Sequence, residues 1–329
     1  METITYDSRP ICAESYATKK RSAAIDRTMS VEINGSMQRI RICSENAASP
    51  PVIVVQAGPG FPVLHEVRKF QRKLALERKL AVCYWDQRGC GKASKQDAES
   101  VSFQQQVNDL RALIRWAVKN SGRKVTLLGV SLGATYSLLA AEQEQHNVNA
   151  VVVISPDINI AESDASTAEF LAARAPTMSR RFNSNLKKLG DPPYEDPQRF
   201  QLRARLLLDA GVIENGKRFN ATAVELLTGL FRTYGPVGAA NALRGMNIIQ
   251  AALLSEIARL NVLTDLPLLD VPVHCILGDL DPLMPTVARD RLARLSGYSV
   301  TNIPEAGHMA HFDRPHIVSS IVFRAAYGE

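Results

Sequence analysis

The stretch KVTLLGVSLGATYSLLAA, Lys124–Ala141, begins as an apolar, β-branched run and ends in residues of helical character. Between the two halves stand Gly129, Ser131 and Gly133. A buried strand that turns at once into a helix needs small residues where the backbone crosses itself, and G-x-S-x-G places one on each side of the serine. On such a turn the serine is held up on a strained backbone, a conformation costing on the order of 1–3 kcal/mol. The helix that follows points free N–H groups and a positive dipole end at the same spot. An incidental serine in a tight turn would show the same three residues, so the rest of the chain has to decide.

Outward from this turn, short apolar runs alternate with helical patterns. PPVIVVQAG, LAVCYWDQ, VNAVVVIS, VPVHCILGD and YSVTNIP read as strands. Helices are expected from about His65 to Lys79, over FQQQVNDLRALIRWAVKN, over PTVARDRLARL and from Pro315 onward. Strands apolar on both faces and separated by helices belong to a parallel sheet covered on both sides. VEINGSMQRIRIC alternates around Asn34-Gly35 and predicts an antiparallel hairpin at a sheet edge. The fold class is therefore α/β, a mostly parallel sheet flanked by helices. Residues 157–269 break the rhythm with helix-forming segments such as RFQLRARLLLDAG and no convincing strand, and are expected to form a helical insertion. That leaves 1–30 as an N-terminal arm and 31–156 with 270–329 as the α/β core.

Composition narrows the class. The chain has 329 residues, 46% of them hydrophobic and 22% charged, which suits a folded domain with a large core. No apolar run reaches the ~20 residues needed to span a bilayer, so no membrane partner is expected. The first thirty residues lack the apolar stretch of a secretory signal. The formal net charge is +6, but the basic residues are dispersed, without the basic and aromatic stripe of a nucleic-acid surface. Nucleic acid is excluded as a partner on that pattern. Five cysteines, odd in number and without a CxxC pair, indicate a reducing cytoplasm rather than disulfides, zinc or redox chemistry.

A serine nucleophile needs a base and an acid to orient it. ILGDLDPLMP closes one strand and offers Asp279 and Asp281 at the carboxyl end, where open α/β sheets bind ligands. PEAGHMAHFDRP follows the last strand and offers His308 and His311. His308, directly after a glycine in a loop, is the better base, while His311 leads into the final helix and reads as structural. The order serine, aspartate, histidine is one in which such triads occur.

With these residues in place, the chain resembles the α/β-hydrolases, and within them the proline iminopeptidase group. QAGPG (Gln56–Gly60), WDQRGCGKAS (Trp85–Ser94) and GVSLGA carry the likeness. The resemblance implies an inserted helical cap over the site and a catalytic set of Ser131, Asp281 and His308. Asp281 rather than Asp279 follows from the family's G-x-x-D spacing, counted from Gly278. An oxyanion hole would be formed by the backbone N–H groups of Gly58 and Leu132. Asp86 and Arg88 in the WDQRG string are expected to form an internal ion pair that holds a loop. The chain departs from the group at Gln56 and Ala57, where a histidine and a glycine are usual, and at Leu132, where a tryptophan is common. The group's amine-binding acids lie in the cap, where Glu225 and Glu256 are candidates.

The expected function is a serine hydrolase that forms an acyl-enzyme on a small to medium, largely apolar ester, lactone or amide. No cofactor and no metal are implied, because water completes the reaction. A carboxylesterase or lactonase uses the same machinery and stands beside the aminopeptidase reading. A ligand-binding or receptor-like protein with little turnover is a further alternative, since fold does not fix function. Dehalogenases and epoxide hydrolases of this fold use an aspartate nucleophile, and Ser131 argues against them. The oligomeric state is not legible.

Overall fold

Among the described residues eight strands form one sheet in the order β1-β2-β4-β3-β5-β6-β7-β8. The computed structural model describes residues 23–91 and 100–329. β1 (Ile25–Ile33) and β2 (Ser36–Ser44) make an antiparallel hairpin. Asn34 and Gly35 both take positive φ there, 48° and 75°, as a tight primed turn requires. β1 begins at Ile25, inside the stretch expected to be an arm. Residues 1–22 of that arm lie outside the described residues.

β2 pairs antiparallel with β4 (Ala81–Asp86). From there the ladder is parallel through β3 (Pro51–Val55), β5 (Val125–Val130), β6 (Val148–Ile154), β7 (Val273–Gly278) and β8 (Tyr298–Ile303). β3 and β5 are buried at every residue, which explains their unbroken apolar runs. One face of the sheet packs on α2 (Phe103–Ser121), α3 (Leu132–Gln143) and α8 (Thr286–Arg294) through Leu110, Ile114, Leu138 and Leu292. The other face packs on α1 (Val67–Lys73) and α10 (Pro315–Tyr327) through Phe70, Val318 and Val322, with the short α9 (Ala310–Asp313) between β8 and α10. The helix expected over His65–Lys79 is shorter, because Ala75 at φ 50° interrupts it after Lys73. Cys43, Cys83, Cys90 and Cys275 are buried free thiols, and burial pushes Cys83 and Cys275 up to about 12.

Residues between β6 and β7 contribute no strand to the sheet. They form α4 (Ile160–Arg174), α5 (Arg180–Leu189), α6 (Pro197–Asp209) and α7 (Phe219–Ile257). α7 bends at Gly235-Pro236, where Gly235 takes φ 71° and ψ 176°. The insertion has a small core of its own, Leu171, Phe182, Leu189, Leu206, Leu207 and Val212, which closes on Leu283 of the loop after β7. Among the described residues, no helix is long and apolar enough to cross a membrane.

Candidate active site

The glycines of the Ser131 turn are demanded by packing. A Cβ on Gly129 would stand 2.5 Å from Ala134 Cα and 2.6 Å from Ser137 Oγ, and one on Gly133 would strike the Val55 and Gln56 carbonyls. With that clearance β5 passes directly into α3, and Ser131 sits between them at φ 54°, ψ −125°. This is the strained conformation expected of a nucleophile elbow. The Ser131 N–H donates to Ile154 O at 2.8 Å, which ties the turn to the end of β6.

Four chemically active side chains converge here from the carboxyl ends of neighbouring strands. Ser131 follows β5, Asp157 follows β6, Asp281 follows β7 and His308 follows β8. His308 Nε2 lies 2.9 Å from Ser131 Oγ, and His308 Nδ1 lies 2.8 Å from Asp281 Oδ2. Asp281 also accepts from the Leu283 N–H at 3.0 Å, so its carboxylate is fixed on two sides. All three are buried. Burial works to raise the Asp281 carboxyl, but the charge and hydrogen bond of His308 hold it below the ordinary range. For His308 burial opposes the charged ring, while the charge and hydrogen bond of Asp281, and then Asp157, bring it above the ordinary histidine value. A hydroxyl, an imidazole and a carboxylate in this row can draw a proton off the serine and stabilise the resulting imidazolium.

Asp157 was not anticipated. Ser131 Oγ lies 2.9 Å from its Oδ2, the same distance as from His308 Nε2, so the single hydroxyl proton has two acceptors. Thr135 Oγ1 donates to the Asp157 backbone oxygen at 2.7 Å and holds the loop in place. Burial raises the Asp157 carboxyl, opposed by His308, the Ser131 hydrogen bond and Arg203. In sequence it is one acid in SPDIN with no motif around it. The available signal was topological, since β6 neighbours β5 and the loop after β6 must lie beside the elbow.

The remaining candidates separate cleanly. Asp279 is exposed, whereas Asp281 is buried at the histidine. His311 is packed against Phe70 and Phe312 with ring centroids 5.4 and 4.0 Å away, and burial holds it well below the ordinary value. Gly58 takes φ 66° in the loop after β3, and Leu132 opens α3. Gln56 anchors the Gly58 loop, donating from Nε2 to Glu66 at 2.6 Å and accepting the Ala57 N–H at 3.1 Å.

The ion pair expected between Asp86 and Arg88 is instead two separate anchors. Arg88 pairs with Asp109 of α2, Nε to Oδ2 at 2.7 Å and Nη2 to Oδ1 at 3.0 Å. Asp86 accepts from the Leu64 N–H at 2.9 Å and from Tyr234 of α7 at 2.5 Å. Neither Glu225 nor Glu256 joins the serine. Glu225 pairs with Lys217 and Lys69, and Glu256, exposed on α7, accepts the Phe103 N–H at 3.0 Å.

Residues 53–321 match the model of the alpha/beta hydrolase family, so the chain belongs to that family. It is 25% identical over 322 residues to the probable aminopeptidase YbaC of Bacillus subtilis strain 168, covering 94% of this chain and 98% of that one. A proline iminopeptidase-related protein of Thermus thermophilus superposes with a TM-score of 0.64 at 19% identity, covering 92% of this chain and 98% of its own. An esterase of Rhodococcus sp. ECU1013 superposes with a TM-score of 0.61 at 16% identity over the same shares, 92% and 98%. The chain is thus an alpha/beta hydrolase family protein, similar in sequence to a probable aminopeptidase and in fold to solved hydrolase structures.

Proposed function

We propose that the protein is a serine hydrolase acting through Ser131, His308 and Asp281, and that it favours acyl substrates carrying a free amino group next to the scissile carbonyl. The observation that carries this reading is the carboxylate of Asp157 on the hydroxyl of Ser131. In an α-aminoacyl substrate the ammonium nitrogen is two bonds from the attacked carbon. A carboxylate touching the nucleophile is therefore within reach of that ammonium.

In the reaction His308 Nε2 accepts the Ser131 proton as Oγ attacks the carbonyl carbon. The backbone N–H groups of Gly58 and Leu132 stabilise the tetrahedral oxyanion, each worth roughly 3 kcal/mol in the transition state. His308 then gives its proton to the leaving amine or alcohol, and water activated by the same ring releases the acid from Ser131. Asp281 keeps the imidazole oriented throughout. Without a substrate, Asp157 competes with His308 for the serine proton. A bound ammonium occupies Asp157 and leaves the proton to the base. The helices α4–α7 act as a cap over the site, bound to the histidine loop through the Val212 carbonyl, which accepts the His308 N–H at 2.9 Å.

A carboxylesterase or lactonase is the second reading, and the burial that raises Asp157 favours it. A protonated Asp157 donates to the serine oxygen and carries no charge to attract an amine. Aminoacyl arylamides with free and acetylated amino groups, together with neutral esters and lactones, separate the two. The expected result is preference for the free amine, with Asp157→Asn lowering kcat/KM at least tenfold more for the free than for the acetylated substrate. A wild-type preference for acetylated or neutral substrates overturns amine recognition. A fluorophosphonate probe reads the mechanism separately: the adduct must fall on Ser131, and no adduct there ends the serine-hydrolase reading. An adduct with negligible turnover on every substrate points to a ligand-binding protein.

A further inference from the structure

A concave site lies on the α1 side of the sheet, away from Ser131. A cavity of about 350 Å³ opens between the β1–β2 hairpin, α1 and the first half of α7, and is lined by none of Ser131, Asp157, Asp281 and His308. Six cationic side chains line it, Arg39, Arg41, Arg68, Lys69, Arg72 and Arg232, against two carboxylates, Glu66 and Glu225. Both carboxylates are engaged. Glu66 accepts the Gln56 amide at 2.6 Å, and Glu225 pairs with Lys217 and Lys69. Two of the cations are engaged as well, Arg41 with Asp26 at 2.8 Å and Lys69 with Glu214. Among the described residues no carboxylate pairs with Arg39, Arg68, Arg72 or Arg232. Arg39 Nη1 is shielded from solvent and meets no hydrogen-bond acceptor among the described residues.

We propose that this cavity binds a small, multiply charged oxyanion, a phosphorylated or polycarboxylate metabolite. Like charges gathered in a concavity focus a positive potential and raise the local concentration of anions. Guanidinium forks match the paired oxygens of phosphate and carboxylate, and such charge-assisted bonds are the strong ones. An oxyanion in the cavity gives the stranded Arg39 Nη1 its acceptor. It also spans two parts of the fold, because Arg39, Arg68 and Arg72 belong to the core and Arg232 to the insertion. Bound there, it neutralises the repulsion across that junction and clamps α7 onto α1. A lone surface pair of arginines offers none of this, whereas a cavity of this volume lies within the size range of small-ligand sites.

Calorimetric titration of the full chain at low ionic strength tests the site, with pyrophosphate as the phosphate probe and citrate as the carboxylate probe. Saturable binding of at least one is expected, and the tighter of the two identifies the source of the oxyanion. The double variant Arg72→Gln, Arg232→Gln should bind at least tenfold more weakly. Both residues are exposed, and the ligand-free melting temperature of the variant checks that it folds. Arg72→Lys with Arg232→Lys keeps the charge but loses the forks, and should bind more weakly than the wild type and more tightly than the glutamine variant, while Ser131→Ala should bind as the wild type does. Absence of saturable binding with either probe, or undiminished binding in the glutamine variant, overturns the proposal.

Discussion

In the proposed mechanism His308 is the residue on which the chemistry turns, and its surroundings set the pH at which it would work. Burial opposes its charged form, Asp281 and then Asp157 favour it, and Arg203 of α6 works against it, with the balance above the ordinary value. A base must be neutral to take the serine proton, so kcat/KM falls as the pH drops through this raised value. The acid limb of the profile should therefore stand above the ~6.5 of a free imidazole. Asp157→Asn removes a negative charge from the ring and should move that limb to lower pH. A limb that stays in place would mean that the Asp157 charge does not act on His308. Asp281→Asn should abolish turnover and Asp279→Asn should leave it intact, which steady-state kinetics on one ester decides. The serine, the better histidine and the two candidate acids could be read from the chain, because each sits in a short local pattern at a strand end. Asp157 could not, because its meaning comes from the strand beside it and not from its neighbours in sequence.

The alternation of strand and helix was legible element by element, since doubly buried strands are written as unbroken apolar runs. What linked the elements was not. WDQRG reads as a single loop device, yet its side chains reach three different places. Trp85 Nε1 donates to Gln38 of β2 at 2.7 Å, Asp86 holds Tyr234 of α7, and Arg88 holds Asp109 of α2. These partners are 47, 148 and 21 positions away, beyond any local pattern. Tyr234 stands immediately before the bend at Gly235-Pro236, so the bend and the hydrogen bond to Asp86 form one joint between α7 and β4. Tyr234→Phe leaves that buried carboxylate short of a donor and should cost about 1–3 kcal/mol in urea unfolding. A loss within experimental error would show that the bend alone fixes the joint. At the elbow, Gly133→Ala forces a methyl into the Val55 and Gln56 carbonyls. The cost should be about 1–3 kcal/mol of stability together with most of the activity.

Across the whole molecule, one buried ion pair binds the edge of the sheet to its helical layer. Asp109 receives Arg88, Gln38, Gln105 and Asn34, and Arg88 also reaches the carbonyls of Ile33 and Asn34. Arg88→Met leaves a fully buried carboxylate with amide donors but no cation and should destabilise the protein by about 3–5 kcal/mol. Equilibrium unfolding with a midpoint close to the wild type would contradict this. The link between insertion and core is of another kind. Val212 and Ile213 offer their carbonyls to the N–H groups of His308 and Met309 at 2.9 and 2.7 Å, and Gly307 lies so close that a side chain there would strike Val212. The helical insertion therefore also carries the backbone rest of the His308 loop. Grafting the helices of a relative between β6 and β7 would exchange more than the pocket: unless the graft reproduces that pair of carbonyls, the imidazole loses its seat. A change of specificity made in this chain is therefore better confined to side chains around the Val212–Ile213 turn, with its length kept, than made by exchanging the whole insertion.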